Sequence, residues 1–440
     1  MGKYFGTDGI RGKAKVTLTD ETVYRVGKYI GNYYKDARIV IGMDTRISSK
    51  DFEKDLCKGM IESGAKVYLL GYCSTPCLAY TTMNEKFSCG VMISASHNPY
   101  TDNGIKIFAN DGFKINEEIE LLIEEYIDNP VGIENKNTGE VIDYKEAIKT
   151  YQSWLLKNYP LELNGLRVLV DLCNGSNCYT AKDVLNKLGG NFEYINDKPD
   201  GTNINNNCGS THLQMLQDCV KNNDYDLGFA FDGDADRVLF VDEDGEVVDG
   251  DKVMYLLAKY LKDNNLLNNN HLVTTVMSNI GLYKALDKLN IEYAVTAVGD
   301  KNVCDCMVKN DYVVGGEQSG HIIYSGDCFF GDGLKTALLV LKAISHYGLS
   351  LKDAVKEVKI YPQLLINETV KDKKIILNDK DINDKIDAIA NELGNNGRIL
   401  VRPSGTEPLI RVMVEAENDE LCRKYVYEVI DMIKERGYTA

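Results

Sequence analysis

The sequence predicts an α/β protein built as three similar mixed, mainly parallel α/β domains and a smaller C-terminal α+β domain, set around a central cleft. Three observations carry this. Near-continuous apolar runs such as Ile39-Val40-Ile41-Gly42-Met43 alternate with amphipathic helical stretches, the pattern of strands covered by helices on both faces. That pattern returns from Leu166 and again from near Asp251, whereas the order of elements changes after about Glu368. Finally, 440 residues exceed what one ordinary core accommodates and suit several domains of roughly 100 residues each.

Residues 1–150 open on the glycine-punctuated loop Phe5-Gly6-Thr7-Asp8-Gly9-Ile10-Arg11-Gly12. After Ile39–Met43, the spacing of Phe52, Leu56 and Met60 predicts a helix from about Ser49 to Ser63, capped by Ser48 or Ser49 and left through Gly64. Next come Val67–Leu70 and the apolar run Cys89–Ile93, which breaks into Ser94-Ala95-Ser96-His97-Asn98-Pro99. Pro99 fixes its own φ and pushes Asn98 away from helix, so Ser96 is expected on a short, stiff, exposed turn. Both Asp44 and Ser96 stand at carboxyl ends of strands, where open α/β sheets place their sites.

A linking helix through Trp154 and Leu156 begins the segment 151–250. There Leu166–Asp171 reads as strand, Ala181, Val184, Leu185 and Leu188 as one face of a helix, and Leu227–Phe231 as a strand running into Asp232. Segment 251–365 holds Leu272–Val276, then Tyr312-Val313-Val314 ahead of Gly315-Gly316-Glu317. The asparagine-rich run 264–270 reads as a surface loop. Segment 366–440 reads as helix, strand, loop, strand and a final helix with Cys422, Val426, Val429, Ile430 and Ile433 on one face. A hinge is expected around Ser350 to Asn367.

A net charge of −16 leaves no basic excess to displace counterions from nucleic acid or anionic lipid, so an anionic ligand would need locally placed Arg and Lys. The amino terminus lacks an apolar signal core, and no window approaches roughly 18 apolar residues, so a cytoplasmic location is expected. The 12 cysteines are scattered, several within predicted elements, and lack paired metal-site spacing; they read as reduced and buried.

Four constellations carry chemistry. Ser96 with His97 fits a nucleophilic serine or an ordinary strand-to-loop turn. Asp232, Asp234 and Asp236 put three carboxylates at alternate positions after a strand, where close anions repel and call for a hard cation such as Mg²⁺ or Ca²⁺. An EF-hand competes on spacing, but its sixth position is Arg237, not glycine, and Val238–Val241 reads as strand; a solvated acidic turn is the plainer alternative. Arg402, Ser404, Gly405, Thr406 and nearby Arg411 either cradle a phosphate or form a hairpin turn with incidental arginines. Glu317, Gln318, Ser319 and His321, between glycines, offer partners for sugar hydroxyls, or are only polar turn residues. A presented serine, a cation cluster, a phosphate cradle and a sugar-reading loop together fit phosphoryl transfer to or from a sugar with serine as relay.

In the order and spacing of these four motifs the chain resembles the α-D-phosphohexomutases, and among them the bacterial-type phosphoglucosamine mutase branch. The resemblance runs from Tyr4–Gly12 to the phosphate loop and closing helix. It implies four domains around a cleft, a phosphorylated Ser96 as donor, and Mg²⁺ held by that phosphoserine with Asp232, Asp234 and Asp236. It further implies conversion of glucosamine 6-phosphate into glucosamine 1-phosphate through a bound 1,6-bisphosphate, on the way to UDP-N-acetylglucosamine and cell wall. A kinase or a hexose 1,6-bisphosphate would first charge the serine. By motif, Arg11, Lys106 and Arg237 would neutralise the moving phosphoryl group, Lys106 or His97 would carry the hydroxyl proton, and Glu317 and Ser319 would read the sugar. Neutral hexose phosphates are the alternative substrates, and a non-catalytic sugar-phosphate-binding relative the alternative class. At Asp300-Lys301-Asn302 the family usually carries arginine and tyrosine; this chain keeps the charge at Lys301 but loses the bidentate fork.

Overall fold

The computed structural model describes residues 2–163, 165–326, 328–404 and 407–439. Contacts divide the chain into two compact units, Met1–Met277 with Ile291–Lys356, and Ser278–Asn290 with Glu357–Ala440. The helix Ile280–Lys288, which falls within segment 251–365, therefore groups with the C-terminal residues.

The first unit holds three mixed sheets. In the seven-stranded sheet, Cys89–Ile93, Arg38–Met43, Lys66–Tyr72 and Glu140–Asp143 run parallel, and Asp102–Ala109, Gly9–Lys13 and Phe5–Gly6 extend it antiparallel. All five residues of Cys89–Ile93 are buried, which is why the strand reads as an unbroken apolar run. The five-stranded sheet has Leu227–Phe231 at its centre, parallel to Arg167–Asp171 and antiparallel to Val238–Asp242. In the four-stranded sheet His271–Thr275 lies between Glu292–Thr296 and Val314–Gly316, with Ile322–Tyr324 antiparallel at the edge. Each sheet joins a parallel core to an antiparallel extension, and the extensions carry the chemistry: Arg11, Lys106, Arg237 and His321 all lie on or beside them.

The second unit folds Gln363–Thr369, Leu409–Glu415 and Arg398–Pro403 into an antiparallel sheet packed on helices Lys380–Leu393 and Asp419–Glu435. Cys422, Val426, Val429, Ile430 and Ile433 are buried on the last helix, as its spacing predicts. The strand Gln363–Thr369 was not expected. It follows Pro362, and its burial alternates between half-buried and exposed, so no apolar run marks it.

Two further readings are corrected. Ala181 to Leu188 do not form one continuous helix: the region holds two short helices, Asn177–Thr180 and Lys182–Leu185, and Ala181 and Leu188 lie outside both. Ser48 is the N-cap of Ser49–Glu62, yet its hydroxyl makes no cap bond, and the Ser49 hydroxyl donates to Asp44 instead. The cysteines are free thiols, most of them buried. Among the described residues no helix is long and apolar enough to cross a membrane.

The segment leading into the edge strand Phe5–Gly6, which pairs with the strand carrying Arg11, is held at its backbone by one side chain. Buried Glu124 accepts backbone N–H bonds from Lys3 (2.8 Å), Tyr4 (2.5 Å) and Phe5 (2.7 Å). Burial alone would raise the Glu124 carboxyl, but these three donors outweigh it and hold it below its ordinary value. A depressed carboxylate contributes stability above its unfolded value near 4.3 and loses it as pH falls through the folded value. Glu124→Gln is accordingly expected to cost about 1–3 kcal/mol at neutral pH and to flatten the acid side of the melting-temperature profile. Thermal melts from pH 3 to 7 check this; an unchanged profile would contradict the clamp.

Candidate active site

Ser96 sits just beyond the strand Cys89–Ile93, but it is fully buried rather than exposed. The reason is tertiary: the loop Asp232–Arg237, from a different sheet, folds over it. Ser96 Oγ donates to Asp232 Oδ2 at 2.5 Å and stands 3.3 Å from His97 Nδ1. That approach requires Gly233, because a Cβ there would come within 2.6 Å of the Ser96 carbonyl oxygen. Ser96 also has a left-handed backbone, φ 52°, uncommon for serine.

The acidic loop joins antiparallel strands, with Phe231 opposite Val238. A strand follows it where an EF-hand needs a helix, which removes that reading. Asp232, Asp234 and Asp236 are buried, and one oxygen from each lies within 4.8 Å of the others. Asp234 Oδ1 is buried with no hydrogen-bond partner, and Asp236 Oδ1 is faced only at ion-pair distance, by His321 Nδ1 (3.6 Å) and Arg237 Nε (3.8 Å). Burial, then Asp236 and Asp234, pushes the Asp232 carboxyl up to about 8. Hard oxygen donors and orphaned buried lone pairs both fit a metal cation.

Lys106, on the antiparallel strand Asp102–Ala109, is the main countercharge. Its ammonium lies 2.7 Å from Asp234, 3.1 Å from Asp236 and 3.0 Å from Asp8. Burial works to lower its pKa, but Asp234, Asp236 and Asp8 prevail and raise it well above the usual value. Lys106 is thus held as a cation, a poor proton acceptor. His97 differs: burial first, then Arg237 and Arg11, pushes it down to about 4, leaving a neutral imidazole beside Ser96. His321 is driven up to about 9: burial disfavours its charge, but Asp236 and then Asp300 overcome this. Arg237 donates its backbone N–H to Asp232 at 3.2 Å, and Arg11 pairs with Asp8.

Several participants escaped sequence reading. Lys114 bridges Asp8 (2.6 Å) and Asp300 (2.7 Å), tying the first sheet to the helix Asp300–Asn310. Asp8 lay in the flagged glycine loop, but nothing in the sequence connects it to residues about a hundred and nearly three hundred positions away. Asp8, Lys106, Asp236, Asp300 and His321 help line a cavity of about 200 Å³ whose wall also includes Phe108, Phe113, Phe329 and Phe330.

In the sugar-reading loop, Ser319 is exposed and Glu317 Oε1 accepts the Gly299 N–H at 3.0 Å, next to Lys301 and Asn302. Gln318 turns away, donating its amide to Asp249 at 3.1 Å. Asn302 caps back onto the Val298 carbonyl, while Lys301 borders the cavity.

In the second unit, Arg402 and Arg411 face each other directly across paired strands. Arg402 is lowered by burial and by Arg411. Like charges directly opposite destabilise a sheet, which an anion between them would relieve. Ser404 is buried, its hydroxyl accepts the Glu407 N–H at 3.2 Å, and Lys373 donates to the carbonyls of Ser404 (2.7 Å) and Glu407 (3.2 Å). Lys373, nearly thirty positions before Arg402, adds a third cation that sequence reading missed. Gly405 and Thr406 lie outside the described residues.

Four family models match the chain: phosphoglucomutase/phosphomannomutase alpha/beta/alpha domain I at residues 2–131, domain II at 143–245, domain III at 249–361, and the C-terminal domain at 365–432. Among curated relatives, a phosphoglucosamine mutase of Lachnospira eligens is 49% identical, with 100% of both chains covered. One from Lachnoclostridium phytofermentans is 48% identical over 100% of this chain and 99% of its own. Among solved structures, a phosphoglucomutase/phosphomannomutase family protein of Burkholderia thailandensis superposes with a TM-score of 0.81 at 21% identity, covering 98% of this chain and 97% of that one. Aspergillus fumigatus N-acetylphosphoglucosamine mutase in complex with GlcNAc-6P and magnesium gives 0.71 at 18%, covering 99% and 96%.

Proposed function

We infer the chemistry from one premise: the chain belongs to the phosphoglucomutase/phosphomannomutase family, matching its four domain descriptions in order. The enzyme is an intramolecular phosphotransferase of the isomerase class that interconverts glucosamine 6-phosphate and glucosamine 1-phosphate. The observation carrying this substrate is the full-length likeness, near one residue in two, to relatives named for it.

In this reading Ser96 carries the phosphoryl group that is transferred. The sugar O1 hydroxyl attacks phosphorus, the Ser96 Oγ–P bond breaks, and the product is a bound 1,6-bisphosphate. After reorientation, Ser96 Oγ attacks the 6-phosphate and the sugar O6–P bond breaks, which recharges the serine and leaves the 1-phosphate. In each half-reaction one hydroxyl loses a proton and another oxygen gains one. Neutral His97, 3.3 Å from Ser96 Oγ, is placed to carry that proton, whereas Lys106 serves as fixed charge.

Lys106, Arg11 and Arg237 offset charge on the transferring group. Asp232, Asp234 and Asp236, with an oxygen of phospho-Ser96, would hold Mg²⁺, whose charge stabilises the same group. Glu317, Ser319 and His321 address the sugar. Arg402, Ser404, Gly405, Thr406 and Arg411 hold the phosphate that is not reacting, whichever it is. A kinase or a hexose 1,6-bisphosphate supplies the first phosphate on Ser96.

The test is product formation from glucosamine 6-phosphate, glucose 1-phosphate and mannose 1-phosphate, each with Mg²⁺ and a trace of its bisphosphate. A preference of more than about tenfold in kcat/KM for the amino sugar is expected, the range that one buried polar contact supplies. A preference for a neutral hexose would overturn the substrate and keep the mechanism; silence on all three would overturn both.

A further inference from the structure

We propose that Arg46 and Asn205 are positioning residues for the phosphoryl-carrying serine, a two-sided clamp on its backbone that fixes where Oγ points. Arg46 Nη2 donates to the carbonyl oxygens of Ser96 and Asn98, both at 2.8 Å, and Asn205 Nδ2 donates to the same two oxygens, both at 2.9 Å. Four N–H groups meet four lone pairs, so both carbonyls are saturated. Arg46 is fully buried and comes from the turn after the strand Arg38–Met43; Asn205 is buried and comes from the segment after Asn191–Ile195 in the second sheet.

The rest of the Ser96 peptide is fixed as well. Its N–H donates to Ser94 Oγ at 2.9 Å, Ser94 Oγ donates to Asp44 Oδ2 at 2.6 Å, and Arg46 Nε lies 3.2 Å from the same oxygen. The Asn205 amide cannot reverse without loss, because its Oδ1 accepts the Cys173 thiol proton at 2.9 Å. A serine held in the left-handed region persists only where its surroundings over-determine it. None of these bonds touches the reacting atoms, yet together they aim Oγ at Asp232. An in-line transfer tolerates little error there: a displacement of about 1 Å is enough to cost roughly a hundredfold. The clamp also joins two sheets at the nucleophile, so the serine's position depends on their docking and not on the first sheet alone.

This inference rests on Ser96 carrying the transferred phosphoryl group, and the experiment separates the two. Asn205→Asp keeps the shape of the side chain but replaces two donors by acceptors facing carbonyls. In the full-length enzyme with Mg²⁺ and bisphosphate, we expect kcat to fall about 30- to 100-fold with KM within about twofold. Cys173→Ala, which frees the amide to reverse, should lower kcat severalfold, and Cys173→Ser, which restores a donor, should recover it. Ser96→Ala runs alongside. If Ser96→Ala is inactive while folded Asn205→Asp keeps wild-type kcat, or loses only KM, the clamp is wrong and the relay stands. If Asn205→Asp does not fold, equal kcat for the Cys173 pair and wild type overturns the proposal. Turnover by Ser96→Ala overturns the relay, and the clamp with it.

Discussion

Ser96→Ala is expected to lower turnover on the order of 10⁴-fold or more while the protein folds and still binds sugar phosphates. The size follows from the role: without Oγ there is no acceptor for the returning phosphoryl group, and the remaining charges can bind but not relay. The small structural effect follows from the geometry. The loop is held through backbone atoms, by Arg46, Asn205 and Ser94, and among the described residues the side-chain bonds lost run to Asp232 and His97. Steady-state assay with a melting curve and calorimetric titration of glucosamine 6-phosphate reads all three quantities. Turnover within tenfold of wild type would sink the serine relay.

Lys106→Met is the second large effect, and here stability and activity should fall together. The substitution keeps most of the buried volume but leaves Asp8, Asp234 and Asp236 without their shared ammonium. Breaking a buried ion pair by removing one partner costs about 3–5 kcal/mol, because the buried carboxylates left behind lose charge compensation that water cannot replace. Turnover should drop by about 10²- to 10³-fold, the usual cost of losing one preorganised group aimed at developing charge. Because carboxylates without countercharge favour a cation, Mg²⁺ should raise the melting temperature of Lys106→Met more than that of the wild type. Equal Mg²⁺ stabilisation of the two proteins would show that Lys106 and the cation do not serve the same carboxylates. Activity insensitive to Lys106→Met would remove it from the charge-stabilising role.

Much of this protein was legible in its sequence because the relevant signals are local. The central parallel strands, Cys89–Ile93 and Leu227–Phe231 among them, are buried on both faces and so read as unbroken apolar runs, and Leu227–Phe231 was located to the residue. The chemistry-bearing loops announced themselves as polar clusters at strand ends, and the acidic cluster's residue types alone pointed to a hard cation. The half-buried strand Gln363–Thr369 was missed for the converse reason: its partly exposed residues supply no apolar run.

What the sequence determined by itself was the set of elements and the residue types that carry chemistry, since periodicity and turn composition act over a few positions. Only the tertiary structure decided how those residues meet. It buried Ser96 under Asp232–Arg237, made Lys106 a fixed cation by surrounding it with Asp8, Asp234 and Asp236, and lowered His97 to a neutral imidazole. It also brought Arg46 and Asn205 onto the same two carbonyls from positions about 160 residues apart. Charge state and aim depend on burial and on Coulomb interactions across sheets, and those distances exist only once the sheets have docked.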